Sequence, residues 1–176
     1  MKNLFFTALF LFASISFSQN FSDLDKSPMD RAIYPSGMSA STKTAVITYS
    51  RPQLKGRSFE DIVPSGKVWR TGANESTELR LFKPINIDGK RLDAGTYTIF
   101  TIPNNDSVTF ILNSVINVWG SYAYSEENDV LRVDVPITKS NEQLEAFSIA
   151  FGEDNGFSKM YFGWDKIRFE VPFSSE

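Results

Sequence analysis

The run AGTYTIFTIPNNDSVTFILN, residues 94–113, is the clearest indication of the fold class of this chain. Two runs rich in β-branched and aromatic residues, 94–103 and 107–113, flank the short polar segment 104–106. β-branched and aromatic side chains favour strands, and Asn and Asp favour turns because their side chains hydrogen-bond to nearby backbone. We therefore predict two antiparallel strands joined by this turn.

Similar runs continue on both sides of this hairpin. Further strand candidates are TAVITYS (44–50), TELRLF (77–82), INIDGKRL (85–92) with its Asp-Gly turn, DVLRVDV (129–135) and EAFSIAF (145–151). In the C-terminal run, apolar residues hold even positions through Trp164 and odd positions from Ile167, so the strand must bulge or change sheets there. We predict an all-β fold, an antiparallel β-sandwich or jelly-roll-like barrel of about eight or nine strands.

The N-terminus has the pattern of a secretion signal. Lys2 precedes an apolar run that is shorter than the roughly 20 residues of a membrane-spanning helix, and small residues follow at Ser16 and Ser18. We predict that residues 1–18 are a signal helix that is cleaved after Ser18. No later run is long and apolar, so we expect no integral membrane segment after cleavage and an exported protein, periplasmic or extracellular.

Two regions follow the predicted signal. Residues 19–43 are rich in serine, contain two prolines and show no sustained period, so we interpret them as a leader that is partly ordered against the domain. Residues 44–176 form a single predicted β domain. A chain of this length buries roughly 68–70% of its unfolded surface, which is enough for a core without disulfides.

The composition excludes several kinds of chemistry. The chain has no histidine and no cysteine, which rules out catalytic nucleophiles and metal sites built on those residues. Acidic runs such as 104–107 and 152–156 lack the spacing of a calcium loop, so we predict no metal site, and no cofactor motif is present. After residue 18 the chain carries 17 basic and 21 acidic residues without a basic stripe, so we expect no nucleic-acid partner.

The run GKVWRTGANEST, residues 66–77, holds the densest polar chemistry, next to a local charge of +3 over residues 51–70. Arginine binds carboxylates, phosphates and acidic glycans through paired hydrogen bonds. Our candidate ligand-binding residues are Arg51 and Arg70 to hold an anion, Trp69 to stack, and Asn74 and Glu75 to orient polar groups. A structural alternative places Trp69 in the core and pairs Arg70 with Glu75 or Glu78.

Three functions are compatible with this pattern. The first is a non-enzymatic exported module that binds a small anionic ligand, a glycan or an envelope partner. The second is a carboxylate-dependent hydrolase of envelope or polymeric substrates with Glu75 as acid or base, because Glu75 and Glu78 could lie close enough for that chemistry. The third is a structural protein without a ligand.

Trp119, Tyr122 and Tyr124 form a further aromatic patch that suits either carbohydrate binding or strand packing.

Several motifs together resemble an exported bacterial family known as domain of unknown function 2911. They are YSRPQLKGR (49–57), VPSGKVWRTGANE (63–75), AGTYTIFTIP (94–103), ILN (111–113), WG (119–120) and DVLRV (129–133). The resemblance covers about residues 44–173. It implies an exported β domain whose signature includes Arg51, Trp69, Arg70, Asn74 and Glu75, and it implies no established activity.

Overall fold

The computed structural model describes residues 19–36, 43–154 and 156–175. The predicted signal helix, residues 1–18, and positions 37–42 of the predicted leader lie outside these ranges. None of the described helices is long and apolar enough to cross a membrane.

Ten strands and two short helical segments make up the described chain. The strands are β1 (Met29–Tyr34), β2 (Ala45–Ser50), β3 (Thr77–Leu81), β4 (Ile85–Ile87), β5 (Lys90–Leu92), β6 (Gly95–Pro103), β7 (Ser107–Asn113), β8 (Asp129–Pro136), β9 (Thr138–Asp154) and β10 (Phe157–Ser175). The helical segments are α1 (Phe59–Ile62) and a 3₁₀ turn (Glu126–Asn128).

The strands form two antiparallel sheets packed as a sandwich. The larger sheet has the order β1-β2-β3-β6-β7-β8 and the smaller one β5-β4-β10-β9. Inward side chains from both sheets fill one core, including Ile47, Leu79, Phe110, Phe162 and Val171. The predicted all-β sandwich is confirmed, and within the described ranges the sheets do not close into a barrel.

Both predicted hairpins are present. β6 and β7 pair from Thr98↔Asn113 to Pro103↔Val108 across the 104–106 turn. β4 and β5 turn at Asp88 and Gly89, whose φ angles of 49° and 73° suit a two-residue hairpin. Local turn chemistry therefore fixes the register of these strands.

Part of the predicted leader is an edge strand. β1 pairs with β2 from Met29↔Ser50 to Tyr34↔Ala45. Ala32 is its one fully buried residue, whereas Met29 is exposed. An edge strand with one small buried side chain leaves almost no hydrophobic period in the sequence.

The C-terminal run, in which the apolar residues change from even to odd positions, contains a β-bulge. This confirms the first of the two predicted alternatives, a bulge or a change of sheet. Asp165 has a φ of 51°, and the register of β10 against β9 shifts on both sides of it. Trp164 before it and Ile167 after it both face the core. Arg168 donates to the backbone oxygens of Asp165 at 2.9 Å and of Glu142 in β9 at 2.8 Å, which satisfies carbonyl groups at the irregularity.

Candidate functional site

The Trp69 indole lies in an aromatic cluster between the sheets. It stacks on Trp164 with ring centroids 5.7 Å apart and packs edge-on against Phe59 and Phe147. Its Nε1 donates to the backbone oxygen of Gly72 at 3.1 Å. The stacking face of Trp69 already has a protein partner, which agrees with the structural alternative for this residue.

The Arg51 guanidinium joins edge strands of opposite sheets. Its Nε donates to the backbone oxygen of Phe147 at 3.0 Å, and its Nη2 donates to Ser148 Oγ at 2.8 Å, both in β9. Its Nη1 forms an ion pair with Asp30 of β1 at 3.0 Å. Each of its nitrogens is used within the fold, so Arg51 acts here as a scaffold residue.

The turn 70–77 is stabilised by hydrogen bonds of buried threonine side chains. Thr71 has a φ of 56°, which is rare for a β-branched residue, and Asn74 has a φ of 59°. The backbone oxygen of Thr71 accepts a hydrogen bond from Thr77 Oγ1 at 2.6 Å, and Thr71 Oγ1 lies 3.1 Å from Thr101 Oγ1. These contacts fix the path of the turn and hold its backbone in a strained conformation.

Gly72 is needed where this turn passes β2. A Cβ at this position would lie 3.0 Å from the backbone oxygen of Ser50 and 3.0 Å from Thr77 Oγ1. We expect Gly72→Ala to lower the free energy of unfolding by about 1–3 kcal/mol, because a methyl group added to a filled site forces its neighbours apart. Urea denaturation measures the change. An equal loss in Gly95→Ala, whose Cβ would meet Tyr97 at an ordinary 3.7 Å, would contradict this reason.

A segment far along the chain, residues 114–125, pairs with the turn. The backbone N–H of Gly120 donates to the oxygen of Asn74 at 3.1 Å, and that of Ser76 donates to the oxygen of Val118 at 3.0 Å. Ser76 Oγ also donates to the backbone oxygen of Gly120. No local sequence pattern links this 114–125 loop to the turn, although its aromatic residues form the predicted patch.

The 114–125 loop brings exposed aromatic side chains to the site. Trp119 is 59% exposed and forms an isolated antiparallel bridge with Glu75. Tyr122 is 87% exposed. In the other direction, Tyr124 packs edge-on against Phe100 with centroids 5.1 Å apart. The aromatic patch is therefore divided between a packed ring and two exposed rings.

A buried carboxylate anchors the end of the 114–125 loop. Asp129, whose side chain is only 4% exposed, accepts hydrogen bonds from Asn113 Nδ2 at 2.7 Å, Tyr124 Oη at 2.7 Å and Arg132 Nη1 at 2.8 Å. Burial raises the pKa of Tyr124 to about 12, with the hydrogen bond to Asp129 and the charge of Asp129 as further causes. These hydrogen bonds therefore fix the C-terminal end of the 114–125 loop to the start of β8.

We expect the protein to lose stability between pH 10 and about pH 12 in part through Tyr124. An unfolded tyrosine ionises near pH 10, whereas the pKa of Tyr124 in the folded protein is about 12. The stabilisation is complete below the unfolded pKa and disappears as the pH rises through the folded one. Urea midpoints across this range should fall less steeply for Tyr124→Phe than for the wild type. Identical curves would contradict the assignment.

Arg70 is a cation without an ion-pair partner in the described part of the chain. Its Nε is shielded from solvent and makes no hydrogen bond, and none of the described ion pairs includes it. Its Nη1 lies 3.6 Å from the point where a Cβ on Gly120 would stand, and the ring of Tyr122 comes within 2.9 Å of the same point. The ion pair with Glu75 or Glu78 that the structural alternative required does not form.

The remaining candidates, Asn74 and Glu75, lie on the same turn as Arg70. The backbone N–H of Ser27, and after it the Asn74 side chain, lower the pKa of Asp25, so Asn74 contacts the segment that precedes β1. Glu75 is exposed and borders a cleft of about 220 Å³ that Glu78 also lines. Glu78 accepts a hydrogen bond from the backbone N–H of Asn117 at 2.8 Å. Within the described ranges, no three acidic residues come together as a metal site.

A separate apolar cleft of about 510 Å³ lies along β9 and β10, with Phe162 and Phe169 among its lining residues. Its charged lining groups are already engaged. Arg168 donates to backbone oxygens, and Glu170 accepts from Lys159 Nζ at 2.6 Å. This cleft thus provides no free cation for an anionic ligand, unlike the surface around Arg70.

The comparisons with known proteins agree with the sequence motifs. Residues 27–173 match the model of the family described as Protein of unknown function (DUF2911). No curated protein and no solved structure matches the chain. The matched range runs from just before β1 into β10 and contains both the turn 70–77 and the 114–125 loop. The chain therefore belongs to the DUF2911 family of proteins of unknown function.

Proposed function

We propose that this protein is an exported, non-enzymatic binding module that holds a small anionic group on the Arg70 guanidinium. One observation carries the proposal: Arg70 has a shielded Nε without a hydrogen bond and takes part in none of the described ion pairs. Buried polar atoms in folded proteins nearly always have a partner, so an exception needs an explanation. An anionic ligand on the Nη groups of Arg70 would supply the counter-charge that the fold does not provide and would offset the cost of the buried Nε.

The contrast with Arg51 supports this proposal. Both residues belong to the same basic region of the sequence, but Arg51 donates hydrogen bonds to Asp30, Phe147 and Ser148. Arg70 stands on a strained, hydrogen-bonded turn and is left unpaired. A guanidinium in a fixed position is suited to bind a carboxylate or phosphate with two parallel hydrogen bonds. We therefore place Arg70, Asn74 and Glu75 in the proposed site and leave Arg51 and Trp69 to the scaffold.

The binding proposal is tested by thermal unfolding of the purified protein with inorganic phosphate, citrate and glucuronate, and with glucose as a neutral control. At ten times its dissociation constant, a ligand that binds only the native state adds about 1.4 kcal/mol, which corresponds to a rise in Tm of about 3–6 °C. We expect such a rise with at least one anion for the wild type and none for Arg70→Met. Equal rises in Tm for the wild type and Arg70→Met would show that the anion binds at a site without Arg70.

Arg70→Lys separates charge from geometry in the same experiment. Lysine keeps the positive charge but loses the planar pair of donors, so we expect it to retain only part of the shift. If no anion shifts the wild type, the structural function without a ligand takes the place of this proposal.

The export part of the proposal rests on residues 1–18. The full-length chain, expressed in a Gram-negative host, should be recovered outside the cytoplasm with Gln19 as its first residue by intact mass. Replacing Leu9 with Asp should interrupt the apolar run and leave the chain unprocessed. Recovery of the uncleaved wild-type chain in the cytoplasm would refute export.

One observation favours the hydrolase as a second candidate. Glu75 and Glu78 both line the 220 Å³ cleft, as two carboxylates acting on one glycosidic bond would have to. Release of reducing ends from bacterial envelope polysaccharide, abolished in both Glu75→Gln and Glu78→Gln, would establish this activity. Binding without release of reducing ends leaves the non-enzymatic module.

A further inference from the structure

The exposed rings of the 114–125 loop are presented by a rigid support. Single exposed apolar residues are ordinary on protein surfaces, so exposure alone carries little information. Trp119 and Tyr122, however, lie on a loop that is hydrogen-bonded to the turn at residues 74–76 and anchored at its far end by Asp129. The backbone that carries these rings is therefore ordered before a ligand binds, which lowers the entropy cost of using the loop as a binding platform.

The two rings stand next to groups of opposite charge. Trp119 and Glu75 are directly opposite in an antiparallel bridge, so their side chains project from the same face. The ring of Tyr122 and the Nη1 of Arg70 approach one point beside Gly120, at 2.9 and 3.6 Å. One surface thus combines two aromatic faces, an exposed carboxylate and an unpartnered guanidinium.

We propose that this surface binds an acidic sugar, a hexuronate residue of a glycan; this inference rests on the proposed anion-binding function. The sugar carboxylate pairs with Arg70, pyranose faces of the glycan pack on Trp119 and Tyr122, and Glu75 accepts hydrogen bonds from sugar hydroxyls. Each functional group of the surface then has a partner of matching chemistry.

Other ligands leave part of the surface unused. A neutral sugar leaves the Arg70 guanidinium without a counter-charge. Inorganic phosphate satisfies Arg70 but makes no use of the exposed rings, and its two charges are repelled by Glu75 on the same turn. A uronate carries one charge at one end of an apolar-faced ring, so its hydroxyls, and not its carboxylate, can face Glu75.

Isothermal titration calorimetry of the purified protein tests the inference with four probes: trigalacturonate, the neutral galactotriose, free galacturonate and inorganic phosphate. We expect trigalacturonate to bind at least tenfold more tightly than galactotriose and more tightly than phosphate. A stronger affinity for trigalacturonate than for free galacturonate assigns the site to a glycan chain, and equal affinities assign it to the free acid. Equal binding of the acidic and neutral trisaccharides would overturn the inference.

Three variants assign the contacts. Arg70→Met should lower the affinity for trigalacturonate by about 10–100-fold and bring it to that of galactotriose. Trp119→Ala should lower affinity for both trisaccharides by about tenfold and leave phosphate binding unchanged. Phe157→Ala removes an aromatic side chain of similar exposure, 62%, at the remote β9–β10 turn and should change nothing.

The outcomes distinguish failure of the acidic-sugar inference from failure of the proposed anion-binding function. If phosphate or galacturonate binds through Arg70 but Trp119→Ala has no effect on any sugar, the acidic-sugar inference fails and the anion-binding module stands. If none of the four probes binds, both fail. An effect of Phe157→Ala equal to that of Trp119→Ala would also overturn the assignment of the exposed rings to this site.

Discussion

Trp164→Ala is expected to lower the free energy of unfolding by about 3–5 kcal/mol. Trp164 is 2% exposed, stacks on Trp69 and packs edge-on against Phe59 and Phe147. Its Nε1 also donates to the backbone oxygen of Glu145 at 3.1 Å. Removing the indole leaves a cavity between the sheets and withdraws the surface on which Trp69 rests.

Urea denaturation monitored by far-UV circular dichroism gives this value. The matched control is Tyr122→Ala, which removes an 87% exposed ring and should change stability by less than about 0.5 kcal/mol. A loss below about 1 kcal/mol in Trp164→Ala would contradict the packing of the cluster and would return Trp69 to the list of possible ligand contacts.

Arg51→Met is expected to lower the free energy of unfolding by about 2–3 kcal/mol. The ion pair with Asp30 contributes little of this, because its side chains are 34% and 44% exposed and screened by solvent. The larger part is the pair of charge-assisted hydrogen bonds to Phe147 and Ser148, which join the residue after β2 to β9 of the opposite sheet. Methionine keeps much of the side-chain volume, so the loss reports on polar contacts and not on packing.

Asp30→Asn is the internal control for that interpretation. It removes the charge of the exposed ion-pair partner and leaves the contacts to β9, so we expect a loss of less than about 1 kcal/mol. If Asp30→Asn cost as much as Arg51→Met, the ion pair and not the inter-sheet hydrogen bonds would hold the strands together.

Much of the fold follows from local sequence patterns. The alternation in β8, the Asp88-Gly89 turn and the phase change at Asp165 each reflect a rule that acts over a few residues. β1 could not be predicted by such rules, because an edge strand with one buried alanine needs no alternating apolar residues. The turn 70–77 was predictable as a turn for the same local reason.

The composition of the site depends on contacts between distant parts of the chain. Arg51 and Arg70 look equivalent in the sequence, and only the approach of β9, nearly a hundred residues later, occupies the donors of Arg51. Trp69 turns inward because Trp164 offers it a stacking face. Trp119 joins the site through a bridge to Glu75 that no local pattern encodes. Local rules can therefore nominate a polar turn but cannot tell a ligand-binding arginine from a structural one.

The free energy of unfolding of Arg70→Met, measured by urea denaturation beside the wild type and Arg51→Met, shows whether Arg70 is free to bind a ligand. A binding arginine without a partner contributes nothing to the ligand-free fold, and replacing its shielded Nε with an apolar group removes an uncompensated desolvation cost. We predict that Arg70→Met is as stable as the wild type, or more stable by up to about 1 kcal/mol. A loss of about 2 kcal/mol or more, similar to that of Arg51→Met, would make Arg70 part of the scaffold and rule out its role as an unpartnered binding residue.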